Sequence, residues 1–423
     1  MPKNKIVIGV ATSFYNFDSG YSLCAVVRDQ LTVLVKNGYK TILFVLPTFK
    51  DDVLVPQGVE IRKIVPQLIL EPYKEFGFPD HWKEDVKKVR ESFELNMQDI
   101  THLIVHDWGF IDTFIPYWTA LREIIDRLSN LKQIFSWVHS APSTRPVLEN
   151  NIHANRFTLP PKTKIIYLNH YQTNDIAEMM GAWLKDVRVV HNSRDPRTFW
   201  DLHPLVNSAV DKYSLLDKDI ISTYALSTTR MITGKGVDKF IKLHSKLKTL
   251  GYKTALIICN AHANADKEKK TINQTQMFAY DRGLDQTDLI FTSLEGKEYE
   301  MGVPPKVVSD FFRLSNVFTF PTISENCSLV LLEAMLSGNL LVLNKNVQSL
   351  REFGGDNALY FDFNYRDNQE ENERYYLDLA KILASQFEQQ KTLQVKREVM
   401  KNYNYQSIFK RQTEPLLYET WEN

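Results

Sequence analysis

Short runs of β-branched and apolar residues alternate along the chain with longer segments in which apolar residues recur every three or four positions. In residues 22–37, the apolar positions 23, 26, 27, 31, 34 and 35 fall on one face of a helix, which Asn37-Gly38 ends. Strand and helix follow each other in this way along most of the chain. The pattern predicts parallel sheets covered by helices on both faces, an α/β fold.

The apolar runs predict two groups of strands. The first group comprises residues 5–10, 41–46, 60–65, 103–105, 133–138, 164–168 and 187–190. The second group comprises residues 220–224, 254–258, 289–291, 317–320 and 340–343. Helices are predicted over residues 22–37, 82–97, 110–128, 236–250, 305–314, 328–337, 371–390 and 405–421.

The alternation weakens over residues 194–217, which carry Pro196, Pro204 and many polar residues. We interpret this segment as a junction between an N-terminal domain, residues 1–195, and a C-terminal domain, residues 216–400. The C-terminal helix, within residues 405–423, is expected to join the first domain. Two doubly wound domains would present their strand ends, and therefore their ligand sites, to a shared cleft.

Composition narrows the class of protein. Of 423 residues, 43% are hydrophobic and 24% are charged, which is typical of a globular chain and not of a disordered one. Lys plus Arg and Asp plus Glu both number 51, so a broad basic field for nucleic acid is not expected. The three cysteines have no CxxC spacing, which argues against a disulfide framework or a structural zinc site.

The sequence lacks a signal peptide pattern and any run of roughly 20 apolar residues that would form a transmembrane helix. We therefore expect a cytoplasmic protein, with at most peripheral contact to a membrane surface.

One segment carries the strongest chemical pattern. The predicted strand 317–320 ends at Pro321, a polar loop with Glu325 follows, and Glu333 lies two turns into the next helix. The first N–H groups of that helix lack intrahelical partners and suit a diphosphate. A carboxylate accepts paired hydrogen bonds from vicinal hydroxyls, which sugars and ribose both offer. Taken alone, Glu325 could equally cap a helix and Glu333 could lie on a solvated face.

A second pattern follows the first strand of the C-terminal domain. Arg230 and Lys235 lie on a glycine-containing loop that precedes a helix. Two permanent cations on such a loop suit a diphosphate leaving group. In isolation they could be solvated loop residues.

Together these segments resemble the large retaining family of GT-B glycosyltransferases, often called family four. Its signature is two glutamates separated by seven residues between a strand and a helix, followed by Ala-Met and a helix end with small residues. Glu325, Glu333 and the run from Glu333 to Gly338 match it, and Arg230 and Lys235 match the family's Arg and Lys-Gly.

The resemblance implies a role for each matching residue. Glu325 would bind hydroxyls of the transferred sugar, Glu333 would bind the ribose of the nucleotide, and Arg230 and Lys235 would stabilise the diphosphate. The backbone of the next four residues would meet sugar and phosphate, namely Asn326, Cys327, Ser328 and Leu329. Many members have Phe-Gly after the first glutamate, where this chain has Asn326-Cys327-Ser328.

The first domain offers further matches to the family. His139 follows a predicted strand where members often carry a histidine that lines the cleft, and it would contact the sugar or the acceptor. His106 ends another strand, in a His-Asp pair that the family shares, and could equally be a satisfied core histidine. Ser19 and Gly20 stand at the place of the family's glycine-rich loop, near donor phosphate or acceptor.

The resemblance implies a retaining glycosyltransferase with a GT-B fold that uses a nucleotide-diphosphate-sugar as co-substrate and needs no further cofactor. His262 and Asp266 could suggest a metal, but members have a glycine-rich turn there near the nucleotide, so no metal is expected.

The sequence is compatible with more than one class of acceptor. A glycan or lipid-linked glycan is the first choice. A hydroxymethylated DNA base is the alternative, since the segment from Arg230 to Lys246 resembles phage DNA α-glucosyltransferases. A catalytically inactive regulator that binds sugar nucleotides, and a phosphorylase of the same architecture, are hypotheses of other classes.

Overall fold

The computed structural model describes residues 2–18, 20–69, 80–109, 111–139, 159–228, 231, 234–326, 328–363 and 369–419. The chain divides into two compact units. Unit 1 comprises Met1–Arg194 and Tyr403–Asn423, and unit 2 comprises Asp195–Asn402.

Unit 1 is built on a seven-stranded parallel sheet of spatial order β3-β2-β1-β4-β5-β6-β7. Its strands are β1 (Val7–Ala11), β2 (Lys40–Phe44), β3 (Val59–Arg62), β4 (His102–His106), β5 (Gln133–Trp137), β6 (Thr163–Tyr167) and β7 (Val187–Val189). The order in which strands are added reverses between β1 and β4, so the connections that leave these two strands lead to opposite sides of the sheet.

Helices cover both faces of this sheet. They are α1 (Ser22–Lys36), α2 (Trp82–Asn96), α3 (Ile115–Ile124), α4 (Thr173–Met179), α14 (Tyr405–Ile408) and α15 (Glu414–Leu416). Alternate residues of β2 enter opposite cores: Leu43 packs with α1 and the C-terminal segment, whereas Ile42 and Phe44 pack with α2 and α3. This period-2 alternation is what a sheet buried on both faces requires.

Unit 2 repeats the architecture with a six-stranded parallel sheet of order β10-β9-β8-β11-β12-β13. Its strands are β8 (Ile220–Ser227), β9 (Thr254–Ala261), β10 (Leu289–Phe291), β11 (Val317–Phe320), β12 (Leu340–Asn344) and β13 (Ala358–Phe361). Its helices are α5 (Pro196–Phe199), α6 (Pro204–Lys212), α7 (Val237–Thr249), α8 (Asp266–Tyr280), α9 (Pro305–Leu314), α10 (Leu329–Leu336), α11 (Gln348–Gly354), α12 (Gln369–Gln389) and α13 (Lys391–Asn402). Here the strand order reverses between β8 and β11.

The prediction of an α/β fold with doubly wound parallel sheets is confirmed. All twelve predicted strands are present within a few residues of their predicted bounds, and β10 and β11 match them to the residue. The sequence pattern missed β13, together with helices α4, α5, α6, α8, α11 and α13. Within the part of the chain that the structure describes, no helix has the length and apolar character needed to cross a membrane.

A buried carboxylate fixes the C-terminal helix of unit 2 to its sheet. Asp219, which directly precedes β8, accepts hydrogen bonds from Arg397 Nη2 at 2.8 Å and Lys401 Nζ at 2.7 Å, both on α13. Its other oxygen accepts from the Lys253 N–H at 2.9 Å, before β9. Burial raises the pKa of Asp219, but the bonds from Lys401 and Lys253 and the charge of Arg397 outweigh it, so the pKa is lowered.

We expect Asp219→Asn to lower the free energy of unfolding of unit 2 by about 1–3 kcal/mol at neutral pH, since it leaves two cations without their shared partner. A carboxyl whose folded-state pKa is lowered stabilises the fold above its unfolded-state pKa, about 3.9, and this stabilisation is lost as the pH falls through the folded-state value. The variant should therefore differ from wild type at pH 7 and converge with it in acid. Denaturant unfolding at both pH values checks this, with the exposed Asp217→Asn as the control. A difference that persists undiminished in strong acid would contradict the assignment.

Candidate functional site

Two loops that follow β8 and β11 meet at the carboxyl edge of the sheet in unit 2. Lys235 lies on the loop between β8 and α7, and Glu325 lies on the loop between β11 and α10. Although they are 90 residues apart in the chain, Lys235 Nζ donates to Glu325 Oε2 at 2.6 Å. Each side chain is about one-fifth exposed, at 20% and 19%. The structure thus brings two of the predicted site residues together, at the point where the strand order reverses.

A glycine allows this close approach. Gly236, next to Lys235, has a φ of +64°, which an L-residue with a side chain rarely adopts. A Cβ atom there would lie 2.8 Å from the carbonyl oxygen of Pro321. The two loops are also joined by the Ile323 N–H and the Thr322 hydroxyl, which both donate to the carbonyl of Gly234, at 3.2 and 3.3 Å. The position of Lys235 therefore depends on backbone contacts between the loops.

The loop that carries Glu325 is held from its other side as well. The Ser349 hydroxyl donates to the Glu325 carbonyl at 2.5 Å, and Asn344 Nδ2 donates to the Thr322 carbonyl at 2.9 Å. Asn344 is fully buried at the end of β12. The carboxylate is thus fixed by its backbone, while its side chain stays partly open to solvent.

The helix that follows begins at the same edge. The Ser328 side chain caps α10 by accepting a hydrogen bond from the Leu331 N–H, which leaves earlier N–H groups of the first turn without an intrahelical partner. Asn326 and Leu329 are exposed. Glu333 lies on the second turn, and burial raises the pKa of its carboxyl. A partial positive charge at a helix N-terminus, beside a lysine, favours an anionic ligand.

Sequence reasoning missed a buried polar cluster behind this edge. Asn260 Nδ2, at the end of β9, donates to the hydroxyls of Thr228 at 2.9 Å and Ser293 at 2.8 Å. The Thr228 hydroxyl in turn donates to the carbonyl of Ala261 at 2.7 Å. These bonds fix the ends of β8, β9 and the segment after β10 relative to one another. Their only sequence signal is a polar residue directly after an apolar run.

The turn after β9 takes a conformation that usually needs glycine. His262 has a φ of +58° and is exposed, so this histidine occupies the place that the resemblance assigns to a glycine-rich turn. Among the described residues, no group of three or more His, Cys, Asp or Glu side chains is arranged to hold a metal ion.

In unit 1 the structure pairs the two candidate histidines. His106 Nδ1 lies 2.9 Å from His139 Nε2. The His139 N–H donates to Asp107 Oδ1 at 2.7 Å, and Asp107 itself has a φ of +57°. Burial lowers the pKa of both imidazoles, with the neighbouring His139 charge adding to the effect on His106, so the pair is neutral at pH 7. The rings of His106 and His139 therefore form one hydrogen-bonded pair, and the predicted role of His139 at the sugar or the acceptor stays a prediction.

Of the remaining predicted site residues, one lies in unit 1 and three lie outside the described residues. Gly20, in unit 1, is exposed, and its N–H donates to Asp18 Oδ1 at 2.8 Å. Arg230, Cys327 and Ser19 lie outside the described residues, so their assignments remain predictions.

No protein-family model matches the chain, and no curated protein matches it. Solved structures similar to the chain include a glycosyltransferase from Rickettsia africae, with 11% identity, 98% of each chain covered and a TM-score of 0.36. Sucrose-phosphate synthase from Thermosynechococcus elongatus has 12% identity, 98% of each chain covered and a TM-score of 0.37. HepE from Anabaena, solved with UDP and glucose, has 10% identity, 98% of this chain and 100% of that chain covered, and a TM-score of 0.38.

We expect Gly236→Ala to separate the two loops. The new methyl group would meet the Pro321 backbone, and a positive φ costs an alanine about 1–2 kcal/mol, so the free energy of unfolding should fall by at least that amount. Gly234→Ala is the matched control, since a Cβ atom there has no neighbour within 4 Å. Denaturant unfolding compares the two variants. Equal stability of both would contradict a close approach of the loops at Gly236.

Proposed function

We propose that the protein is a retaining glycosyltransferase that moves a sugar from a nucleotide-diphosphate-sugar to a hydroxyl acceptor. The observation that carries the proposal is the contact between Lys235 and Glu325 at the carboxyl edge of the unit 2 sheet. It joins the two segments whose residues match the signature of the retaining family, and it lies where the strand order reverses, the usual ligand site of a doubly wound sheet.

The diphosphate of the donor would bind at the start of α10 and beside Lys235. When the bond between sugar and diphosphate breaks, negative charge grows on the leaving phosphate oxygen. A fixed ammonium group and unpaired backbone N–H groups stabilise that charge without reorganising. Arg230 is proposed as a second cation here, on the basis of its match to the family.

In the proposal, the ion pair between Lys235 and Glu325 belongs to the ligand-free state of the site. Lys235 offsets the negative charge of Glu325 while no anionic ligand is bound at the start of α10. A bound diphosphate would replace Glu325 as the ion-pair partner of Lys235. Glu325 would then accept hydrogen bonds from hydroxyls of the sugar. Glu333, two turns along α10, is proposed to bind the ribose hydroxyls.

In the proposed mechanism, the anomeric configuration is retained because of the direction from which the acceptor attacks. The acceptor hydroxyl approaches the anomeric carbon from the face that the diphosphate leaves, and the leaving phosphate oxygen takes the hydroxyl proton. The carbon–oxygen bond to the phosphate breaks as the bond to the acceptor oxygen forms, so no covalent enzyme intermediate is needed. Cationic side chains and backbone N–H groups stabilise the negative charge that forms on the leaving phosphate.

We expect one nucleoside diphosphate among UDP, GDP, ADP and CDP to bind the wild type, and its sugar to be released slowly from the matching donor. Glu325→Gln should lower this release by about 10²–10³-fold, because a neutral amide accepts weaker hydrogen bonds from the sugar hydroxyls in the transition state than a carboxylate does. The same variant should bind the nucleoside diphosphate about 2- to 5-fold more tightly, because Lys235 is freed from an ion pair worth about 0.5–1 kcal/mol. Calorimetry and a nucleotide-release assay measure the two effects.

Two further variants complete this experiment. Glu352→Gln, an exposed carboxylate on α11, should leave both measurements unchanged. Lys235→Met should weaken nucleoside diphosphate binding about tenfold or more. Binding without any sugar release in the wild type would favour a regulator that binds sugar nucleotides. Unchanged nucleotide affinity in Lys235→Met would remove the basis of the proposal.

The anomeric configuration of the product gives an independent prediction. With an α-linked donor, the new glycosidic bond should also be α, and proton NMR of the product reports this through the coupling of the anomeric proton. A β-linked product would show single inversion and would contradict the retaining mechanism, while leaving the assignment as a glycosyltransferase intact.

A further inference from the structure

The turn from β12 into α11, residues 344–349, is bonded to both ends of the short loop that carries Glu325. Because β11 and β12 are parallel neighbours, the segments that follow them emerge side by side. Asn344 Nδ2 donates to the Thr322 carbonyl at 2.9 Å, and Ser349 Oγ donates to the Glu325 carbonyl at 2.5 Å. The second bond reaches the backbone of the residue whose carboxylate belongs to the proposed donor site.

Ser349 lies on a firmly packed part of unit 2. It is the second residue of α11, and the nearby Val347 and Leu350 are 6% and 1% exposed in the hydrophobic core. Within the part of the chain that the structure describes, the Glu325 carbonyl is the one hydrogen-bond partner of the Ser349 hydroxyl. A side chain whose own backbone is fixed by packing can hold its partner to within about 0.5 Å.

The carboxylate of Glu325 has a single partner of its own. Among the described residues this is Lys235, whose Nζ lies 2.6 Å from Oε2. In the proposed function, a bound diphosphate replaces Glu325 beside Lys235, so this contact belongs to the ligand-free state only. After that exchange, the place of the carboxylate depends on its own backbone, and Ser349 is the side chain that bonds to the Glu325 carbonyl.

We propose that Ser349 is a positioning residue for sugar transfer and that it acts through the Glu325 backbone while the donor occupies the site. This role rests on the proposed function. A nucleoside diphosphate without a sugar has no hydroxyls of a transferred sugar for Glu325 to bind, so its affinity does not depend on Ser349. The complete donor does depend on it, because a misplaced acceptor of hydrogen bonds costs most in the transition state.

We expect Ser349→Ala to lower sugar release about tenfold while the affinity for the nucleoside diphosphate stays within about twofold of wild type. Ser349→Thr keeps the hydroxyl and should recover at least about half of the lost rate. The probes are UDP-glucose, GDP-mannose, ADP-glucose and CDP-glucose, together with the four free diphosphates. Release is measured with the donor that the wild type cleaves, and calorimetry measures binding.

A matched control removes the same kind of bond elsewhere. Ser92 Oγ donates to the Ile64 carbonyl at 2.6 Å in unit 1, and Ser92 is partly buried like Ser349. Ser92→Ala should leave release and binding unchanged, and thermal unfolding checks the fold of every variant. In a Glu325→Ala background, Ser349→Ala should lower the remaining release less than about twofold, because the group that it positions is already absent.

Hydrogen–deuterium exchange tests the dependence on Lys235 without any ligand. The Ile323 N–H donates to the Gly234 carbonyl at 3.2 Å, so its exchange reports opening of the loop. In Lys235→Met, which removes the ion pair, Ser349→Ala should speed exchange in residues 321–326 about tenfold. With Lys235 present, the same change should speed it less than about threefold.

Four results would overturn the role of Ser349: wild-type release in Ser349→Ala, an equal fall in release and in nucleotide affinity, the full tenfold loss in the Glu325→Ala background, or equal exchange effects with and without Lys235. If the wild type binds a diphosphate and releases sugar, any of these results leaves the proposed function intact. If the wild type neither binds a nucleotide nor releases sugar, the proposed function is wrong and the role of Ser349 in transfer is wrong with it.

Discussion

The direction in which strands are added to a parallel sheet can reverse, and in this protein it reverses once in each unit. In unit 2 the reversal makes β8 and β11 neighbours although nearly one hundred residues separate them. Because both strands run in the same direction, the loops that follow them must emerge at the same edge. The Lys235–Glu325 contact, the need for glycine at position 236 and the position of the α10 N-terminus all follow from this constraint.

The same constraint acts separately in unit 1. The loop after β1 and the end of β4 enclose the pocket beside His106, and the end of β5 carries His139 to within hydrogen-bond distance of it. The two sites differ in electrostatic character. The site in unit 2 combines a cation, carboxylates and unpaired N–H groups, which suits a diphosphate and its sugar. The pocket in unit 1 is lined by aromatic rings and by His106, whose ring is hydrogen-bonded to that of His139.

Much of the fold could be predicted because buried parallel strands are continuous apolar runs. The strand β13 was missed, since the four residues Ala358–Phe361 are partly exposed and too short to give a distinct run. Helix α8 was missed because residues 266–280 are mostly polar and bury only three side chains. Residue type and spacing identified Lys235 and Glu325 as candidates, but their contact depends on the pairing of strands that are distant in sequence.

Other parts of the sites leave almost no sequence signal. Asn260 acts from inside the protein by fixing strand ends, and a single buried asparagine has many structural uses. The sequence identified His106 and His139 separately, each by its place at the end of a predicted strand. Only the structure shows that a hydrogen bond joins Nδ1 of His106 to Nε2 of His139. Which nitrogen remains available is a property of three-dimensional packing and not of the local sequence.

Hydrogen–deuterium exchange in the presence of each nucleoside diphosphate tests most directly whether the two loops of unit 2 form the donor site. We predict that the diphosphate that binds slows exchange of backbone amides in residues 228–237 and 321–332 together, since both loops contact the same ligand. The segments around β1 and β4 in unit 1 should change less with the diphosphate alone. Slowed exchange elsewhere in the chain, with both loops of unit 2 unaffected, would contradict the account.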